Sequence, residues 1–184
     1  MINGAMQPYG LTLDKFIDHA AKWHPDAEVV TASDGGRTDR IGYAGLRARA
    51  LGVSAALAEL GIGLGDRVAT LAWNTQAHVE AWYAIMGMGA ICHTLNPRLT
   101  TAQLAAMLDQ SKAKILIVSA TLAPLAKQVA QRAAHVPRLL IIDGPCPEWS
   151  AEEADVDVAA LIPAPEDDGR GAKWGDFDER TPCG

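Results

Sequence analysis

The sequence predicts an α/β fold: a largely parallel sheet built from βαβ units and flanked by helices, followed by an irregular acidic C-terminal arm. Three observations predict it. Between residues 43 and 142, helix-period apolar stripes alternate with short apolar runs, the pattern that right-handed crossovers produce. Two of those runs, Ile115-Leu116-Ile117-Val118 and Leu139-Leu140-Ile141-Ile142, are apolar at every position, as strands covered on both faces must be. The composition then changes. Residues 1–142 carry 13 basic and 10 acidic side chains, whereas residues 143–184 carry 3 and 12, with five Pro and five Gly. Such a stretch reads as a surface-running segment. The expected organisation is an α/β unit over 1–142 and an arm over 143–184, with rapid amide exchange in the arm where nothing holds it.

Each element has a local reason. Leu13, Phe16, Ile17 and Ala20 recur at helical spacing, and Thr12 is placed to cap that helix. Residues 28–32 form a short apolar strand. Asp34-Gly35-Gly36 supplies the positive φ angles of a tight turn, and residues 39–43 return as the second strand of a hairpin. Leu46, Ala50, Val53, Leu57 and Leu60 form one helical stripe, stopped by Gly61. Residues 67–73 are a strand. Asn74 or Thr75 caps the next helix, whose apolar face includes Val79, Trp82 and Ile85. Residues 90–95 are a strand. Thr100-x-x-Gln103 is a capping box that starts a helix through Leu104, Met107 and Leu108. A strand over 114–119, a helix over 122–133 and a strand over 138–142 complete the series. In the arm, Ser150-x-x-Glu153 has the form of a second capping box.

Composition excludes several function classes. The chain has 184 residues, 49% apolar and 21% charged, which excludes a disordered chain, a collagen and a disulfide miniprotein. Aromatics are only 5%, so Ala, Val, Leu and Ile must build the core. A net charge of −6 disfavours nucleic acid as a partner. Cys92, Cys146 and Cys183 are widely spaced with no C-x-x-C, which fits a reduced, cytoplasmic setting. No signal peptide is visible at the start. The longest stretch without Asp, Glu, Lys or Arg, residues 81–97, is shorter than the roughly 20 residues of a membrane span, so no transmembrane segment is expected.

The candidate sites are few. Gly61-Ile62-Gly63-Leu64-Gly65 and Gly87-Met88-Gly89 follow helices and precede strands. A phosphate cradle needs the opposite order, because the anion sits on a helix N-terminus; both read as turns. His19, His24, His78, His93 and His135 stand beside no nucleophile motif. His78 and Glu80 are two apart on a helix and point away from each other. Cys92 and His93 are strand neighbours and face opposite sides. Glu166-Asp167-Asp168 lacks the alternating spacing of a calcium loop. No catalytic residue and no metal site is therefore assigned. Asn96-Pro97-Arg98 directly follows a strand, where ligands of open α/β sheets bind. Arg98 offers a guanidinium there for a phosphate or carboxylate.

Four stretches resemble the N-terminal region of the acyl-adenylate-forming superfamily, and within it the medium- and long-chain fatty acyl-CoA synthetases. They are Ile41-Gly42-Tyr43-Ala44-Gly45-Leu46, Leu64-Gly65-Asp66-Arg67-Val68-Ala69, the run from Trp73-Asn74 through His78-Val79-Glu80-Ala81-Trp82-Tyr83-Ala84, and Gly87-Met88-Gly89-Ala90 through His93-Thr94-Leu95-Asn96-Pro97-Arg98-Leu99. The last is the most specific. Asp178-Glu179-Arg180-Thr181-Pro182-Cys183-Gly184 resembles the segment leading into the family's nucleotide loop. The resemblance implies a two-step ligase using ATP, Mg²⁺ and CoA: a fatty acid becomes an acyl-adenylate, then CoA displaces AMP. It also implies Arg98 as a contact to a CoA phosphate, in the loop with Asn96 and Pro97, and a possible homodimer through this region. The family's phosphate loop, T-S-G-T-T-G-x-P-K-G, is not found between Met1 and Gly184. The chain alone is therefore expected to be inactive and to hold none of the three cofactors tightly, with the remainder of the ligase as its partner. The alternative is a stand-alone, non-catalytic interaction module derived from the same family.

Overall fold

The computed structural model describes residues 9–32, 36–145, 158–161 and 173–184. The elements run α1 (Asp14–Trp23), β1 (Glu28–Ala32), β2 (Thr38–Gly42), α2 (Tyr43–Glu59), β3 (Arg67–Leu71), α3 (Gln76–Gly87), β4 (Ile91–Thr94), α4 (Thr101–Ser111), β5 (Ile115–Ser119), a 3-10 turn (Ala120–Leu122), α5 (Ala123–Arg132), β6 (Arg138–Ile142) and β7 (Val158–Ala160). β1 and β2 pair antiparallel as a separate two-stranded sheet. The other five strands form one parallel sheet in the order β4-β3-β5-β6-β7.

That order explains the layers. The chain steps from β3 outward to β4, then crosses back past β3 to β5 and continues through β6. Right-handed crossovers in opposite directions put their helices on opposite faces. α2 and α3 supply Val53, Leu57, Ala81, Ala84 and Ile85 to the core on one face. α4 and α5 supply Leu104, Leu108, Ala126 and Val129 to the core on the other. Every residue of β5 is buried, as the apolar run Ile115-Leu116-Ile117-Val118 requires, and Ser119 ends the strand as a buried polar residue.

Local rules hold at several element ends. The Thr75 hydroxyl accepts from the His78 amide at the start of α3. Thr100 and Gln103 form the expected capping box. Gly61 stops α2 at φ +79°. Three local expectations change. Thr12 does not cap α1 with its side chain; Leu13 occupies the cap position without a side-chain bond, and the Thr12 carbonyl accepts from the Lys15 amide instead. Phe16 and Leu60 leave their predicted apolar stripes for solvent. The strand ends at Tyr43, Trp73 and Leu95 are trimmed, because Tyr43 already opens α2 and the others enter loops. The capping box at Ser150, the acidic run at Glu166 and residues Asp34-Gly35 lie outside the described residues.

Two parts of residues 143–184 join the body. β7 pairs parallel with β6 (Leu139 opposite Val158), and the Leu161 amide donates to the Ile141 carbonyl at 2.9 Å. Val158-Ala159-Ala160 is too short for periodicity to reveal it. Residues 173–184 form a strap across α1, α2 and α3. The Trp174 Nε1–H donates to Ser54 Oγ at 2.8 Å, the Gly175 amide donates to the Gly87 carbonyl at 3.0 Å, and the Cys92 amide donates to the Cys183 carbonyl at 2.8 Å. The strap explains two motif glycines. A Cβ on Gly87 would lie 2.6 Å from the Trp174 ring. One on Gly89, at φ +81°, would lie 2.5 Å from Leu64 Cδ1, before β3, and 3.1 Å from Phe177 of the strap.

Candidate functional site at the carboxyl edge of the sheet

The direction of chain crossing reverses between β3 and β5. At such a point the loops diverge to opposite faces and leave a crevice beyond the strand ends. A hollow of about 780 Å³, lined by Trp73, Thr75, Thr121 and Asp143 among others, opens there, and a second of about 820 Å³ lies beyond the ends of β3 and β4; Trp73 and Thr75 line both. Trp73 is 44% exposed. It is nevertheless fixed in place: its amide donates to Ser119 Oγ at 3.0 Å and its Nε1–H to Thr121 Oγ1 at 3.1 Å.

Asp143 ties the strand ends together. It sits just past β6 at φ +55°. One carboxylate oxygen accepts from Ser119 Oγ at 2.7 Å and Thr75 Oγ1 at 3.1 Å; the other accepts from the Ala120 amide at 3.1 Å. A carboxylate beside the N-terminus of α3 is also favoured by the helix dipole. The sequence reading missed this residue. Its position directly after a wholly apolar strand is the signal that could have found it.

The larger hollow contains the sequence-predicted loop. Asn96, Pro97 and Arg98 line it beside Trp82, Val79 and His78. Asn96 Oδ1 accepts from the Arg98 amide at 3.0 Å, which sets the loop and leaves the guanidinium exposed at the rim. His78 has both ring nitrogens engaged. Nδ1 lies 3.1 Å from the Trp73 carbonyl, so it carries the proton; Nε2 then accepts from Thr70 Oγ1 at 3.0 Å. Burial pushes its pKa below the usual 6.5, so at neutral pH the ring is an uncharged strut. His93 is shifted down for the same reason, and burial pushes the Cys92 thiol up to about 12. The Cys92 thiol is therefore not poised as a nucleophile, and the His93 ring is uncharged at neutral pH. Glu80, 1% exposed, accepts from Arg49 Nε at 2.6 Å and Gln76 Nε2 at 2.7 Å, tying α3 to α2. Asp66, held below the usual carboxylate range by Lys114, receives the Gly63 amide and fixes the glycine turn before β3. Among the described residues, no group of three His, Cys, Asp or Glu is placed to hold a metal.

Residues 17–172 match the family model of AMP-binding enzymes. The chain belongs to that family. The family member is 34% identical over 179 residues to a 3-methylmercaptopropionyl-CoA ligase of Ruegeria pomeroyi, a match covering 97% of this chain and 33% of the relative. It is 36% identical over 158 residues to a long-chain-fatty-acid–CoA ligase of Thermus thermophilus, covering 85% of this chain and 29% of that one. Among solved structures, a fatty acyl CoA synthetase of Mycobacterium tuberculosis superposes with a TM-score of 0.63 at 25% identity, over 72% of this chain and 26% of the other. These likenesses place the AMP-binding chain with the acyl-CoA ligases. It spans about a third of the length of the curated relatives it matches.

Proposed function

We propose that the chain is the N-terminal portion of an ATP-dependent fatty acid–CoA ligase and is inactive without the remainder. In this reading, residues 1–142 are the α/β subdomain, and 143–184 lead toward the nucleotide loop. One observation carries the proposal. The chain aligns over 97% of its length with a CoA ligase of which it spans 33%, and its sequence contains no T-S-G-T-T-G-x-P-K-G loop.

The whole enzyme would join a fatty acid to AMP, releasing pyrophosphate, and then transfer the acyl group to the CoA thiol. Adenylation converts a poor electrophile into one with a good leaving group. The residues present do not fit ATP or Mg²⁺: the glycine turns precede strands rather than helices, and Asp66 and Asp143 are engaged within the protein. No step of adenylation is assigned to this chain. Arg98 does fit a CoA phosphate. Its loop is set by Asn96 and its guanidinium is exposed, so it can present two N–H donors to phosphate oxygens. The proposed setting is the cytoplasm, with a homodimer as the proposed assembly; among the described residues no helix is long and apolar enough to cross a membrane.

The test is ATP–pyrophosphate exchange with a series of fatty acids. We expect no exchange from this chain alone; exchange above background would refute the assignment of inactivity. In a whole ligase carrying this region, Arg98→Ala is expected to raise the CoA KM several-fold while acyl-adenylate formation stays unchanged. Unchanged CoA kinetics would remove Arg98 from the site.

A further inference from the structure

Two cysteines far apart in sequence, Cys92 and Cys183, meet at the outer side of β4, the end strand of the parallel sheet. The end of the strap lies against that side. The Cys92 amide donates to the Cys183 carbonyl at 2.8 Å, and a Cβ on Gly184 would lie 3.4 Å from the Cys92 carbonyl oxygen. Residues joined by a direct backbone bond between neighbouring strands have Cα atoms roughly 5–6 Å apart. A disulfide spans about 4.4–6.8 Å between Cα atoms. Cys92 is buried in the apolar cluster that α2 and α3 cover, and Cys183 packs against the same cluster. Both side chains therefore serve one face of the sheet. Both are free thiols.

The two thiols are unequal. Cys183 is partly exposed, so a small oxidant in solution reaches its sulfur. Cys92 is buried, and burial disfavours its thiolate; it does not react first. Such a pair has an order. The exposed sulfur meets the oxidant, and the buried one answers it. A group held beside its target needs less intrinsic reactivity, because the encounter has already been made by the fold. The strap supplies that encounter: Trp174 and Gly175 anchor it to α2 and α3, and its backbone bond at Cys183 brings the second sulfur to β4.

We propose that Cys92 and Cys183 form a reversible disulfide when the protein meets hydrogen peroxide, and that the bridge latches the strap to β4. In the first step the Cys183 sulfur attacks one peroxide oxygen. An S–O bond forms, the O–O bond breaks, and the second oxygen leaves as water with the thiol proton. Cys183 is then a sulfenic acid. In the second step the Cys92 sulfur attacks the Cys183 sulfur. An S–S bond forms, the S–O bond breaks, and the hydroxyl leaves as a second water with the Cys92 proton. The thiol pair loses two electrons and the peroxide gains them. A dithiol reductant returns both thiols by exchange, so in a reducing compartment the latch is transient. It fixes the end of the segment proposed above to lead toward the nucleotide loop. The disulfide itself needs only this chain and does not depend on the ligase reading.

The test uses the 184-residue chain carrying Cys146→Ser, because Cys146 lies outside the described residues. The folded protein is treated with hydrogen peroxide, the peroxide is destroyed with catalase, remaining thiols are alkylated in urea, and peptides are mapped without reductant. We expect a monomer in which the Cys92 and Cys183 peptides are joined, with two hydrogens lost, and recovery of both thiols in dithiothreitol. Cys92→Ala should stop the reaction at a Cys183 sulfenic acid that dimedone traps. Cys183→Ser should leave Cys92 a thiol over the same exposure. The latch is read at the Cys92 amide, whose acceptor is the Cys183 carbonyl; in the oxidised protein it should exchange at least about fivefold more slowly than in the reduced one. Three results overturn the proposal: Cys183 passes to sulfinic acid while Cys92 stays alkylatable, Cys183 is consumed in a disulfide-linked dimer, or the bridge forms and the Cys92 amide exchanges no more slowly. Mapping the protein with both cysteines present reads the pair even if Cys92→Ala misfolds. No nucleotide, CoA or fatty acid is added, so failure of the ligase reading leaves this result standing.

Discussion

Glu80 is the acidic residue of the α3 motif, and its chemistry is structural. It is buried against α2 and accepts from both Arg49 and Gln76. Removing it leaves two donors without their acceptor and a void under the helix. Glu80→Ala should cost about 2–3 kcal/mol in urea denaturation, and Glu80→Gln clearly less, since the amide keeps one acceptor and the shape. His78 makes a pH prediction. Its folded pKa lies below the ordinary 6.5, so between the two values the unfolded state binds more protons. Stability therefore falls as pH drops through about 6.5 toward the folded pKa. His93 shifts in the same direction, whereas Asp66 titrates below 3.8 and does not enter this window. The wild type should lose more stability between pH 7.5 and 5.5 than His78→Asn does. Equal losses would show that the strut is not the titrating group.

The strap and α3 meet at a residue with no side chain. Gly87 is legible as a turn glycine from its place after a helix. Its second role is not, because Trp174 is 87 positions away and the close approach is made in space. Gly87→Ala should push the Trp174 ring off Ser54 and destabilise the fold by about 1–3 kcal/mol. In a Trp174→Ala background the same change should cost little, giving a coupling energy of 0.5 kcal/mol or more in a double-mutant cycle. Additive costs would mean that the glycine is needed only for the local turn. The helix stripes were legible for the same reason that they pack: Leu46, Ala50, Val53 and Leu57 repeat at helical spacing and are all buried. α1 was only half legible. Ile17 is buried and Phe16 is exposed, and helical period alone cannot rank two adjacent apolar residues.

At the scale of the molecule, the parallel sheet was readable because wholly apolar runs such as Ile115-Leu116-Ile117-Val118 have few other fates. Strand order was not, since nothing in a local pattern says that the chain steps from β3 to β4 and then back past it. The crevice between β3 and β5 follows from that order, so Asp143 and the shared role of Trp73 stayed hidden while the loop at Arg98 was found. Acidity and proline content predict an irregular arm but not the three small apolar residues within it that add β7 to an existing edge. This makes amide exchange informative across the whole chain. The Leu161 amide is bonded to the Ile141 carbonyl and the Gly175 amide to the Gly87 carbonyl. If these contacts are part of the same cooperative unit as the sheet, both amides should exchange within about tenfold of β6 amides and accelerate together with them in dilute denaturant. Fast exchange at both positions with a fully protected β6 would instead make residues 143–184 a separate unit, released without unfolding the sheet.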